Sequence, residues 1–165
     1  MSKKKVSDAP APASPPLIDL GALPGHHIRR LQQIAVAIFL QETEAHGITP
    51  VQYAALQTVG NQPDVDQRTL ARSIGFDTST IAGVVDRLEA RGLMRRSASP
   101  DDRRVRLLAL TDEGRALLAA VVPAMQRAQQ RMLQPLPKAE RAEFMRMLRV
   151  IVTANNDMSR APSDG

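Results

Sequence analysis

The sequence predicts a mainly α-helical protein with a small β-wing: a winged helix-turn-helix joined to a helical dimerisation region. Three observations lead there. Aromatic residues are scarce, with three Phe, one Tyr and no Trp in 165 residues, so the core is aliphatic and suits helices packed on helices. Residues 67–92 read as two short helices around a glycine turn. Directly after them, two short apolar runs flank a charged tip, SASPDDRRV (97–105).

Each element follows in turn. Residues 1–16 (MSKKKVSDAPAPASPP) form a basic, Pro/Ala-rich tail that cannot bury a core and is expected to be disordered. Residues 24–46 read as a long helix, with Ile28, Leu31, Ile34, Ala35 and Ile38 at helical spacing. Its run IAVAIFL (34–40) is apolar all round and needs two covers, one of them a partner subunit in a chain this small. Thr49 and Pro50 start a helix over 50–60, and NQPDV (61–65) reads as a loop. Asp66 caps a helix over 67–74, and Gly75 supplies the turn. Asp77 or Thr78 caps the next helix, 79–92, whose Ile81, Val84, Val85 and Leu88 form one apolar stripe. Residues 93–96 and 105–110 are strand candidates. Thr111 caps a helix to about 134, with Asp112 and Glu113 favoured in its first turn. Pro123 is a candidate kink. A last helix spans about 138–156. The winged helix-turn-helix is therefore assigned to 49–111, between helical regions at 17–48 and 112–157, with a flexible C-terminus over 158–165.

Composition narrows the function. The net charge is +5 and the pI about 10.4, which suits a polyanionic partner. The absence of Cys excludes disulfides, thiol catalysis and Cys-based zinc sites. No nucleophile–base pair, phosphate loop or metal cluster stands out, so an enzyme is not expected and no cofactor is called for. Residues 1–16 lack an apolar signal core, and no stretch spans a bilayer, so a cytoplasmic location is expected.

In a helix-turn-helix the second helix enters the major groove with its N-terminal residues first. Here those are Thr78, Ser79 and Thr80, short groups able to reach phosphates or base edges. Arg72, Arg87, Arg91, Arg95 and Arg96 are candidate phosphate contacts, alongside the reading that they are solvated surface arginines. The wing tip carries Asp102, Arg103 and Arg104. An arginine inserted into the narrow, negative minor groove gains attraction but loses freedom. An acid two residues earlier can brace it through a bidentate pair, and Asp102 and Arg104 have that spacing. Arg103 is left to hold a phosphate.

The stretch STIAGVVDRLEARGLMRRSASPDDRRVRLLALTDEGRALL (79–118) resembles the signature region of the MarR family of bacterial transcription regulators. The pattern D-R-L-E-x-x-G-L falls on Asp86–Glu89, Gly92 and Leu93, the wing D-x-R on Asp102 and Arg104, and L-T-x-x-G on Leu110, Thr111 and Gly114. The resemblance implies a homodimer held by the first and last two helices. It would bind a pseudo-palindromic operator in double-stranded DNA, most often as a repressor released by a small aromatic anion. Ala82 and Gly83 depart from the polar or basic residues frequent at these positions of the family's recognition helix, which shifts base reading toward Thr78 and Ser79 and toward DNA shape.

PGHHIRR (24–30) carries the effector candidates. His27 shares a helical face with Leu31, Ile34 and Ile38, and Arg30 flanks it. His26 and Arg29 lie on the other side. An imidazole beside a guanidinium suits an anionic aromatic ring, with Tyr53 as a further candidate. The same residues also suit an interface histidine beside solvated arginines. Zinc is disfavoured, because His26 and His27 point about 100° apart on a helix, and His46 with Glu42 adds only a scattered pair. PGHHIRR and ITPVQYAAL (48–56) together resemble repressors of nicotinate breakdown, of the BpsR and NicR type, which implies a hydroxynicotinate-like effector. The other open reading is a constitutive or architectural winged-helix DNA-binding protein without a small effector.

Overall fold

A computed structural model describes residues 17–159. The N-terminal tail and residues 160–165 lie outside it. The first helix, α1 (Pro24–Glu42), follows a single 3-10 turn, Leu20–Ala22. It stops four residues short of the expected end. Thr43, buried, donates its hydroxyl to the Phe39 carbonyl at 2.8 Å, and the chain continues as a 3-10 turn, Glu44–His46, into Gly47. Helix α2 (Pro50–Asn61) begins in a reciprocal cap. The Gln52 amide donates to the Thr49 hydroxyl at 3.3 Å, and the Thr49 amide donates to the Gln52 side chain at 3.1 Å.

The stretch expected as loop to residue 65 ends in a short strand, β1 (Val65–Asp66). Helices α3 (Gln67–Ile74) and α4 (Thr78–Ala90) form the helix-turn-helix. Strands β2 (Met94–Ala98) and β3 (Arg106–Leu110) form the wing, and the antiparallel sheet has the order β1-β3-β2. Met94 pairs with Leu110, Arg96 with Leu108, and Val65 with Leu108 from the other side. Compared with the expected strands, β2 runs on through Ser97 and Ala98, while Val105 closes the turn by accepting from the Ser99 amide at 2.9 Å.

The core lies between α2, α3, α4 and this sheet. Leu56, Leu70, Ile81, Val84, Val85, Leu88, Met94 and Leu108 are fully buried in it, and Val121 of α5 (Asp112–Leu133) closes one side. Helix α5 runs unbroken through Pro123. Its start is fused to the wing. The Thr111 hydroxyl donates to the Gly92 carbonyl at 2.6 Å and accepts from the Gly114 amide at 3.0 Å. A Cβ on Gly114 would lie 1.9 Å from the Leu93 carbonyl oxygen, so only glycine fits there. Helix α6 (Lys138–Ala154) buries no residue fully. Met147, Val150, Ile151 and Val152 on α6, and Ile28 and Ile34 on α1, stay exposed. A 3-10 turn, Asn156–Met158, follows it, and residues 160–165 of the segment expected to be flexible lie outside the described residues. Among the described residues, no helix is long and apolar enough to cross a membrane.

Candidate nucleic-acid interface

Asp77, not Thr78, caps α4. Its carboxylate accepts from the Thr80 amide at 2.8 Å, the Thr80 hydroxyl at 2.7 Å and the Ser79 hydroxyl at 2.5 Å. These donors, the Ser79 and Thr80 hydroxyls foremost, hold the Asp77 carboxyl far below the usual carboxylate range. The arrangement changes what the helix offers. A hydroxyl whose proton is committed to a carboxylate presents only lone pairs outward. Ser79 and Thr80 therefore offer acceptors rather than donors at the start of α4. Thr78, exposed, lies outside this network.

The wing carries the expected brace. Arg104 donates through Nε to Asp102 Oδ1 and through a terminal nitrogen to Oδ2, both at 3.2 Å, and its amide donates to Oδ1 at 2.9 Å. The Arg104 side chain is 91% exposed and that of Asp102 43%, so the pair stands at the surface, aimed outward. Its hydrogen bonds, that of the Arg104 side chain first, lower the Asp102 pKa. Arg103 is exposed beside it.

The other arginines divide. Arg72 and Arg87 are exposed on α3 and α4, and the Arg87 side chain lies back over Gly83. Arg95 is exposed on β2, beside Asp64 and Arg115 in a shallow cleft. Arg91 and Arg96 each reach another element of the chain. Arg91 donates to the Gly47 carbonyl at 2.9 Å, tying α4 to the turn after α1. Arg96 pairs with Asp86 at 2.5 Å and Glu89 at 3.3 Å. Both stand among the phosphate candidates in the sequence, because partners 44 and 10 positions away leave no local signal.

The effector candidates do not converge within one chain. His27 and Arg30 line an apolar groove of about 640 Å³ between α1 and α6, with Ile28, Phe144, Leu148 and Ile151 among its walls. His27 is exposed, its Nε2 2.7 Å from the Gly21 carbonyl oxygen. Tyr53 packs on Phe39, with ring centroids 5.9 Å apart, and donates to Gln57 at 3.0 Å. Phe39 lies twelve residues from His27, roughly 18 Å along α1, so Tyr53 does not share this groove. His26 and Arg29 also stay out of it, and Arg29 donates to Gln33 at 3.2 Å. Among the described residues, no three His, Asp or Glu side chains are grouped to hold a metal.

Comparison with known proteins converges on one family. The MarR family model matches residues 48–105, from just before α2 to the wing. The HTH-type transcriptional repressor NicR of Pseudomonas putida is 30% identical over 154 residues, covering 93% of this chain and 98% of that protein. The transcriptional regulator PcaV of Streptomyces coelicolor, solved with its natural ligand, superposes with a TM-score of 0.77 at 37% identity, over 84% of this chain and 98% of that one. BpsR of Bordetella bronchiseptica, whose DNA binding is regulated by 6-hydroxynicotinic acid, superposes with a TM-score of 0.78 at 32% identity, over 82% and 97% of the two chains.

Proposed function

The chain belongs to the MarR family of transcription regulators, and on that premise we propose that it is a homodimeric repressor. A small aromatic carboxylate of the hydroxynicotinate kind releases it from a pseudo-palindromic operator. The observation that carries the DNA-binding part is the bidentate Asp102–Arg104 pair at the wing tip. A guanidinium already fixed and pointed outward loses little further freedom on entering a minor groove. Thr78, Ser79 and Thr80 then face the major groove, while Arg72, Arg87 and Arg103 take phosphates.

The dimer reading rests on the apolar residues that α1 and α6 leave exposed, which a second copy would cover. The effector reading rests on the groove between those helices. Its walls Ile28, Ile34, Met147, Ile151 and Val152 belong to the same surface, so the second copy would close over part of it and an aromatic ring would occupy what is left beside Arg30. The groove's walls suit such a ring, Arg30 suits the carboxylate, and His27 supplies a hydrogen bond at the rim. Release requires that the ligand bind the DNA-free form more tightly than the DNA-bound form. One observation favours the effector-free alternative: His27 already lies within hydrogen-bond distance of the Gly21 carbonyl, as an interface histidine would.

Titration of the purified protein against labelled DNA from its own upstream region separates the two readings. The panel includes 6-hydroxynicotinate and salicylate. Release by one acid at micromolar levels, lost in Arg30→Ala, supports the repressor described. Tight, specific binding that no acid disturbs selects the constitutive reading.

A further inference from the structure

We propose that Arg96 is a positioning residue for DNA binding: an internal counter-ion that holds the wing to α4 and neutralises two acids on that helix's outer face. This rests on the DNA-binding reading above. Ser79, Ala82, Asp86 and Glu89 follow one another at spacings of three and four, on the side of α4 away from its buried stripe Ile81, Val84, Val85 and Leu88. The outer face of the recognition helix thus ends in two carboxylates. Left uncompensated near a duplex, they would repel its phosphates.

Arg96 answers both. It extends from β2, and its side chain is only 24% exposed. One terminal nitrogen meets Asp86 at 2.5 Å, the other meets Glu89 at 3.3 Å, and the first also reaches the Ala82 carbonyl at 3.4 Å. The Arg96 amide donates to Glu89 at 3.3 Å. Its Nε is buried with no partner among the described residues. A guanidinium engaged on this many sides cannot swing to a phosphate without stranding both acids. Because β2 continues into the wing tip, the same contacts fix the distance between Arg104 and the start of α4.

The test uses the full chain and labelled DNA from its upstream region, with affinity measured across salt concentrations. Arg96→Met keeps the apolar stem and strands the acids, and binding should weaken by roughly tenfold. Adding Asp86→Asn and Glu89→Gln should recover most of that loss, with a salt dependence as steep as the wild type or steeper. A phosphate contact predicts the opposite: no recovery, and a slope shallower by about one in the triple variant. If Arg96→Met does not fold, the uncharged triple variant is compared directly with the wild type by the same slope criterion. Unchanged affinity in Arg96→Met also overturns the proposal. Failure of the wild type to bind any upstream fragment overturns the DNA-binding reading itself, and is seen before any variant is made.

Discussion

At the scale of single residues, Arg104 combines high exposure with a fixed side chain. Its two side-chain bonds to Asp102 hold the guanidinium as a plane before any DNA arrives. Arg104→Ala should weaken operator binding by roughly tenfold to a hundredfold, read by anisotropy at several salt concentrations. Asp102→Ala should reproduce part of that loss although it removes a negative charge. Tighter binding would mean that net charge outweighs bracing. Asp77 gives a pH prediction. Its carboxyl is held well below the unfolded value of about 3.9. The stability it contributes is therefore complete above that value and disappears as pH falls through the folded one. Thermal unfolding of Asp77→Asn should lose less between pH 6 and pH 3 than the wild type does. The wing brace was legible in the sequence because its two members are two positions apart. The roles of Arg91 and Arg96 were not, because both depend on contacts that only the folded chain creates.

At the scale of elements, caps and stripes carried most of the information. Thr49–Pro50, Asp66 and Thr111 each mark a helix start where the structure has one. The misses have physical causes. Strand β1 is two residues long and exists because Val65 and Asp66 pair with Leu108 and Leu107, a partnership without local periodicity. Helix α1 gives way after Glu42 to the 3-10 turn Glu44–His46, which closes at the left-handed Gly47, a tightening for which the polar stretch QETEAH carries no periodic signal. Gly114 was visible as a motif position, but its necessity comes from the Leu93 backbone lying against it. Gly114→Ala must move backbone to fit. It should destabilise the protein by about 1–3 kcal/mol, seen as a lower denaturant midpoint with little change in m.

At the scale of the molecule, a mainly helical fold with a small β-wing was legible in the aliphatic composition, the glycine turn between two short helices and the charged tip. Convergence of the effector candidates was not, because Tyr53, on α2, packs on Phe39 toward the C-terminal end of α1, whereas His27 lies near its start. What covers the apolar residues of α1 and α6 is open to direct measurement. Ile151→Asp places a charge among them. It should shift the protein from twice its 18.0 kDa chain mass to the single-chain mass in light scattering, and abolish tight operator binding. The fused junction of Thr111, Gly114, Gly92 and Leu93 has a mechanical meaning at this scale. Helix α5 has 22 residues, so it reaches roughly 33 Å from the junction that ties it to the wing at one end. With no slack at that junction, a tilt of about 6° at the far end sweeps the wing through roughly 3.5 Å, about one base-pair step.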